Sequence, residues 1–260
     1  MIPNPWDAGS AKLLAGIGFE ALATTSAGLA FSLGKPDGEG VVNREETLKN
    51  AQDIIAATNL PVAADLENGY GDDPADCAKT ILLAAGAGLA GGSIEDATGR
   101  PDDPIYPFGL AVERIAAAVK AARSLPYSFM LTARAENLIY GRPDLADTIR
   151  RLEAFAEAGA DVLYAPGLKT LEEVGAVVRA VAPRPVNVLL GLGQTGLSLD
   201  DLARLGVKRV SLGSALARVA YGAFLRAAER IHQKGDFSFV PDAVPYSEIN
   251  GLLKKSYPSI

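Results

Sequence analysis

The chain has 260 residues with 48% hydrophobic content and 27 glycines, enough for one large buried core and the usual size of a single eight-fold α/β barrel. A formal net charge of -6 without any basic run excludes nucleic-acid binding through clustered Lys and Arg, and leaves a metal or a small acid as the expected partner. Cys77 and His232 stand alone of their kinds, which excludes internal disulfides, histidine-rich zinc sites and a Ser-His-Asp triad.

In chain order, residues 1–4 are the first predicted strand, and 19–24 the second, after a helix that closes at Leu14-Ala-Gly-Ile-Gly18. Asn43 with Glu46 three residues on marks a helix start, and strand 62–67 follows. Asp73 and Pro74 offer a cap and a first-turn proline to a helix carrying Cys77, Ile81 and Ala85 on one apolar side. Cys77 therefore reads as core packing. Gly86-Ala-Gly88 precedes strand 92–95, and strand 129–135 comes next. Leu145, Ile149, Leu152 and Phe155 recur at helical spacing before strand 161–164. Thr170 with Glu173 starts a helix bearing Val174, Val178 and Val181, then strand 186–190; Ser198 with Asp201 starts another, then strand 208–211. His232 lies on the polar segment Arg230-Ile-His-Gln-Lys-Gly235 and reads as a surface residue. Strands alternating with helices predict an α/β (β/α)8 TIM barrel in one domain over residues 1–260, with an open doubly wound sheet as the competitor. Within residues 237–260, Ile249, Leu252 and Leu253 share one side of a last helix, which needs a surface to cover. No apolar stretch approaches the roughly 20 residues that cross a bilayer, and no basic-then-apolar leader opens the chain. The expected location is the cytoplasm, with no membrane partner.

Residues just past the strand ends of such a barrel face one mouth. Here they are Ser26, Asp37, Asp65, Glu67, Glu95, Asp96, Arg134, Glu136, Asn187 and Ser211. Carboxylates gathered at buried strand ends repel one another unless a cation sits between them. Without His or Cys beside them, a hard ion, Mg²⁺ or Mn²⁺, is the expected occupant. The competing readings are Asp65 as a helix cap or partner of Arg134, Glu67 and Glu95 in pairs with Lys or Arg, and Asp37 as a turn residue. Arg134 offers a planar fork for a substrate carboxylate or phosphonate.

Six ordered segments then resemble the isocitrate lyase/phosphoenolpyruvate mutase superfamily: Asn4-Pro-Trp-Asp-Ala-Gly-Ser-Ala-Lys12, Ala23-Thr-Thr-Ser-Ala-Gly-Leu-Ala30, Ser32-Leu-Gly-Lys-Pro-Asp37, Ala64-Asp-Leu-Glu-Asn-Gly-Tyr-Gly71, Ser93-Ile-Glu-Asp96 and Thr132-Ala-Arg-Ala-Glu136. The resemblance implies a barrel whose last helix is exchanged between subunits of a homodimer or homotetramer, here expected over residues 237–260. It also implies Mg²⁺-dependent cleavage or formation of a C–C or P–C bond next to a 2-oxo acid. By it, Asp65 is the direct metal ligand, and Asp37, Glu67 and Glu95 hold metal waters. Arg134 and the amides of Ser26, Ala27 and Gly28 would bind the substrate's carboxylate and oxo group, with Asn187 beside them.

The departures narrow the chemistry. Lyases of this family carry a Lys-Cys-Gly-His-type loop after the strand holding Glu95, whereas residues 97–109 here contain neither Cys nor His. Mutases follow Glu-Asp with Lys, and position 97 is Ala. Candidate bases are Glu136, Tyr106, Asp102, Asp103 or a metal-bound water. The expectation is a retro-aldol or decarboxylating lyase acting on a small 2-oxo or 2-hydroxy di- or tricarboxylic acid through a metal-stabilised enolate. Phosphonopyruvate-type P–C chemistry and a non-catalytic metal/oxo-acid-binding barrel are the alternatives. The glycines at 191, 193 and 213 lend the former some support.

Overall fold

Seven parallel strands follow one another in sequence order, each hydrogen-bonded to the next: β1 (Leu22–Ala23), β2 (Val62–Asp65), β3 (Gly91–Glu95), β4 (Met130–Arg134), β5 (Val162–Tyr164), β6 (Val186–Leu189) and β7 (Arg209–Ser211). This is a computed structural model, and it describes residues 1–191 and 196–254; Gly193 lies outside them. The predicted first strand is reduced to a single parallel bridge between Ile2 and Ser211. Ile2 N–H donates to Val210 O at 2.8 Å, and Ala23 N–H donates to Pro3 O at 3.1 Å, so the segment still fills the gap between β7 and β1. Pro3 and Pro5 have no N–H to extend a ladder, which explains the loss. The result is a nearly closed (β/α)8-type barrel.

The helices before, between and after the strands are α1 (Ala8–Ile17), α2 (Ser26–Ser32), α3 (Arg44–Ala56), α4 (Pro74–Gly86), α5 (Phe108–Arg123), α6 (Leu145–Glu157), α7 (Leu171–Ala180), α8 (Leu199–Arg204), α9 (Ala215–Lys234) and α10 (Tyr246–Lys254). The cap signals act as read: Asn43 accepts from Glu46 N–H, Thr170 from Glu173 N–H and Ser198 from Asp201 N–H. Gly18 ends α1 at φ 105°, where any side chain would be strained. The apolar side of α6 buries Leu152 and Phe155 completely against the barrel. Truncating Leu152 to Ala would cost about 2–5 kcal/mol of stability. Cys77 is buried on α4, and burial pushes its thiol up to about 11, as suits packing rather than nucleophilic attack.

The last two helices behave differently. Of α9 only Ala217 is buried, while Val219, Phe224 and Leu225 are 68%, 65% and 55% exposed. The described part of α10 lies beside α1, where Lys12 Nζ donates to Leu253 O at 3.2 Å. No helix among the described residues is long and apolar enough to cross a membrane.

Candidate active site

Asp65, Glu95 and Arg134 are the last residues of β2, β3 and β4, and the register sets Glu95 directly beside Arg134. Arg134 is the hub. Its Nη1 donates to Asp65 Oδ1 at 2.7 Å, its Nη2 pairs with Glu95 Oε2 at 3.1 Å, and its Nε donates to Glu136 Oε1 at 2.9 Å. Its guanidinium carbon lies 5.0 Å from the ring centroid of Tyr164, at the end of β5. Burial disfavours its charge, but Asp65, Glu136 and Glu95 together hold it firmly protonated. The pairing of Asp65 with Arg134, one of the competing sequence readings, is thus present.

Asp65 has further contacts. Ser26, the first residue of α2, donates through Oγ to Asp65 Oδ2 at 3.1 Å, and Asp65 N–H donates to Thr24 Oγ1 at 3.0 Å. Gly28 N–H donates to Thr25 Oγ1 at 3.2 Å as part of the helix cap, so this amide is already engaged. A side chain at Gly28 would place its Cβ 2.8 Å from Trp6 Cβ, so glycine is required there by packing. Ser26 and Ala27 line the cavity inside the barrel.

The mouth holds more negative than positive groups. Asp37, Glu67, Glu95, Arg134, Glu136 and Tyr140 wall a cavity of about 600 Å³. Glu67 sits at φ 47°, a left-handed conformation costing on the order of 1–3 kcal/mol for a non-glycine residue. Burial, then the neighbouring Asp65 and Asp37, pushes its carboxyl up to about 8. Burial followed by Asp65 raises Asp37 as well. Burial lifts Glu95 well above the carboxylate range, against the pull of Arg134. Glu136 rises to about 7 for the same reasons in the same order. Among the described residues no three acidic, His or Cys side chains come together so as to hold a metal ion by themselves. Mg²⁺ needs none, because it takes one or two carboxylates and keeps several waters. Carboxyls driven toward protonation by burial and then by one another's proximity, with Arg134 between them, fit a divalent cation.

Other sequence candidates fall elsewhere. Asp96 is buried, accepting from Glu136 N–H at 2.8 Å and Arg151 Nη1 at 3.0 Å, and so fixes the turn that carries Glu136. The candidate base Tyr106 does not reach the cluster. Its ring is buried with Arg114 stacked 4.0 Å from its centroid, and its hydroxyl donates to Asp72 and accepts from Asn68 at 3.2 Å. The segment 97–106 is tied down at both ends by the Ala97–Ile105 bridge and by Tyr106 N–H donating to Asp96 O at 2.9 Å. Asp102 and Asp103 are exposed on its tip. Asn187 faces the barrel interior, donating to Ser211 Oγ at 2.9 Å.

Three residues escaped sequence reasoning: Tyr164 over Arg134, Tyr140 on the mouth wall, and Arg209 inside the barrel. Period-two alternation in β7 carries a usable signal for Arg209, because it puts Arg209 on the same face as the mouth residue Ser211.

Comparison with known proteins agrees with the barrel fold. The sequence profile of the phosphoenolpyruvate phosphomutase family matches residues 1–232. A 2-methylisocitrate lyase from Vibrio cholerae is 32% identical over 244 residues, covering 88% of this chain and 75% of its own. A solved structure from Burkholderia cenocepacia, provisionally described as a lyase/mutase, shares 61% identity with a TM-score of 0.94 over 98% of this chain and 90% of that one. The structure of oxaloacetate acetylhydrolase in complex with the product oxalate has 28% identity and a TM-score of 0.86, covering 97% of this chain and 88% of that one.

Proposed function

The chain belongs to the phosphoenolpyruvate phosphomutase family, and from that premise we propose that it is a Mg²⁺-dependent lyase cleaving a C–C bond of a small 2-oxo or 2-hydroxy di- or tricarboxylic acid. The observation that carries this reading is the Arg134 hub with its surplus of buried carboxyls. When bound at Asp65, with Asp37, Glu67 and Glu95 placed to hold its waters, Mg²⁺ (or Mn²⁺) would polarise the 2-oxo group as a Lewis acid. Arg134 binds the substrate carboxylate and faces the oxygen on which charge develops as the C–C bond electrons move into the enolate. Glu136, whose carboxyl sits near 7, can take a proton from a substrate hydroxyl in a retro-aldol step and return it to the enolate carbon. For a decarboxylation, CO₂ departs without a base, and Glu136 serves only the final protonation. Residue 97 is a buried Ala, which cannot supply a catalytic cation and disfavours P–C chemistry.

The exposed apolar side chains of α9 support assembly as a homodimer or homotetramer, with a C-terminal helix exchanged between subunits. The test of the activity is direct. Mg²⁺-loaded protein is incubated with oxaloacetate, 2-methylisocitrate, 2,3-dimethylmalate and phosphonopyruvate, and products are followed by NMR. C–C cleavage of one of the first three is expected. Turnover of phosphonopyruvate alone would replace this reading with P–C chemistry, and no turnover of any would leave a binding protein.

A further inference from the structure

The register places Arg134, Tyr164, Asn187 and Arg209 in one row across β4, β5, β6 and β7. Arg209 does not stay on its own wall. Its Nη2 donates to Thr132 Oγ1 on β4 at 2.8 Å and its Nε donates to Asn187 Oδ1 at 3.0 Å. The guanidinium therefore crosses the barrel interior beneath Arg134, because Thr132 precedes Arg134 by two strand positions, about 7 Å. A cavity of about 190 Å³ runs from Ser26 and Asp37 past Asp65 and Arg134 down to Arg209. Ser26, Asp37 and Arg134 are walls of both this cavity and the mouth above it.

The surroundings of Arg209 are neutral. Its side-chain partners Thr132 and Asn187 are uncharged, and among the described residues no carboxylate pairs with Arg209. A half-buried guanidinium without a counter-ion gives up solvation that nothing repays in full, and desolvation pulls Arg209 down to about 10, still cationic at neutral pH. Its two hydrogen bonds leave donors of the five-N–H fork to spare. An arginine held across a cavity by neutral acceptors is a preformed anion receptor.

We propose that Arg209, oriented by Asn187 and Thr132, is a second anion-binding point at the floor of the interior cavity, and that it selects acids whose far end carries an additional carboxylate. This deepens the lyase reading, since it assigns the two ends of the same substrate: the reacting 2-oxo acid end lies at Arg134 and the mouth acids, and the distal carboxylate lies on Arg209. The cavity volume suits a short carbon chain.

Equilibrium binding tests it without turnover. Calorimetry in Mg²⁺ buffer compares succinate with butyrate, which match in chain length and differ by one carboxylate, on wild type, Arg209→Met and Arg209→Lys. Wild type is expected to prefer succinate by more than tenfold; Arg209→Met should abolish the preference and Arg209→Lys should retain part of it. Circular dichroism melts establish that the variants are folded. A succinate preference that survives in folded Arg209→Met overturns the proposal, as does wild type that binds neither acid or does not distinguish them. Failure to cleave any 2-oxo acid would overturn the lyase reading alone, because this preference is measured in its absence.

Discussion

Two layers of one barrel carry opposite charge imbalances. At the mouth, Asp37, Asp65, Glu67, Glu95 and Glu136 surround Arg134, and four of the five carboxyls are pushed upward. One layer down, Arg209 is held by neutral Thr132 and Asn187. Neither imbalance stabilises the fold, since buried charge in surplus costs free energy. Each would be relieved by a ligand of the opposite sign, by our proposals a cation above and an anion below. The difference teaches that residual charge, more than cavity shape, tells which end of a ligand goes where.

The largest effect should follow from emptying the upper layer of its centre. Asp65→Ala removes a partner of both Arg134 and Ser26 and, by the proposed assignment, the direct metal ligand. Activity should fall by at least a hundredfold and the thermal stabilisation by Mg²⁺ should vanish. A melt that still shifts with Mg²⁺ would dismiss the metal assignment while leaving Arg209 untouched.

The next effect concerns pH in the metal-free protein. Burial and then Asp65 and Asp37 lift Glu67 from its ordinary 4.5 to about 8 in the folded state. Between those values the folded chain holds a proton that the unfolded chain has lost, so stability is full below about 4.5 and falls as pH rises toward about 8. Chemical denaturation from pH 5 to 8.5 should show this decline. Mg²⁺ should flatten it by favouring the ionised carboxylate, and Glu67→Gln should lessen it. A flat metal-free profile would mean that the mouth acids do not crowd one another.

How much of this was legible follows from what each residue has for neighbours in sequence. Asp65, Glu95 and Arg134 could be placed because each ends an apolar run, and a parallel barrel sends strand ends to one mouth. The first strand is shorter than its sequence suggests: Ile2 has the strand signal, but Pro3 and Pro5 withhold the N–H groups a ladder needs. For Arg209, alternation in Lys208-Arg-Val-Ser211 gives the face, but the charge reads as a solvated strand end, and nothing local reveals that its side chain spans the barrel to Thr132. The side of α10 that carries Ile249, Leu252 and Leu253 leans on α1, while exposed apolar side chains lie both on α9, at Val219, Phe224 and Leu225, and in the following segment, at Phe237, Val240, Val244 and Tyr246. Tyr106 sits in a loop, which has no period, so its direction cannot be read from spacing.

A moderate effect should come from the aromatic boundary between the layers. Tyr164→Phe keeps the ring over Arg134 and should change turnover by less than fivefold, whereas Tyr164→Ala removes a buried cation–π contact and should cost more than tenfold. Equal losses in steady-state assays would assign the hydroxyl, not the ring, the main role.

The smallest effect should be that of Tyr106→Phe, and its smallness is informative. The hydroxyl lies between Asp72, which accepts from it, and Asn68, which donates to it, and neither contact reaches Arg134 or the mouth acids. Asp72 is exposed, so water can replace the lost partner, and the fold should lose only about 1 kcal/mol. The phenyl ring still packs on Arg114, so the segment 97–106 should keep its place. Turnover should then stay within twofold of wild type, with a melting temperature a few degrees lower. A loss of turnover beyond tenfold at unchanged Mg²⁺ response would show instead that this segment swings its tyrosine into the mouth during the reaction. Charge balance in the resting barrel would then describe only half of the working site.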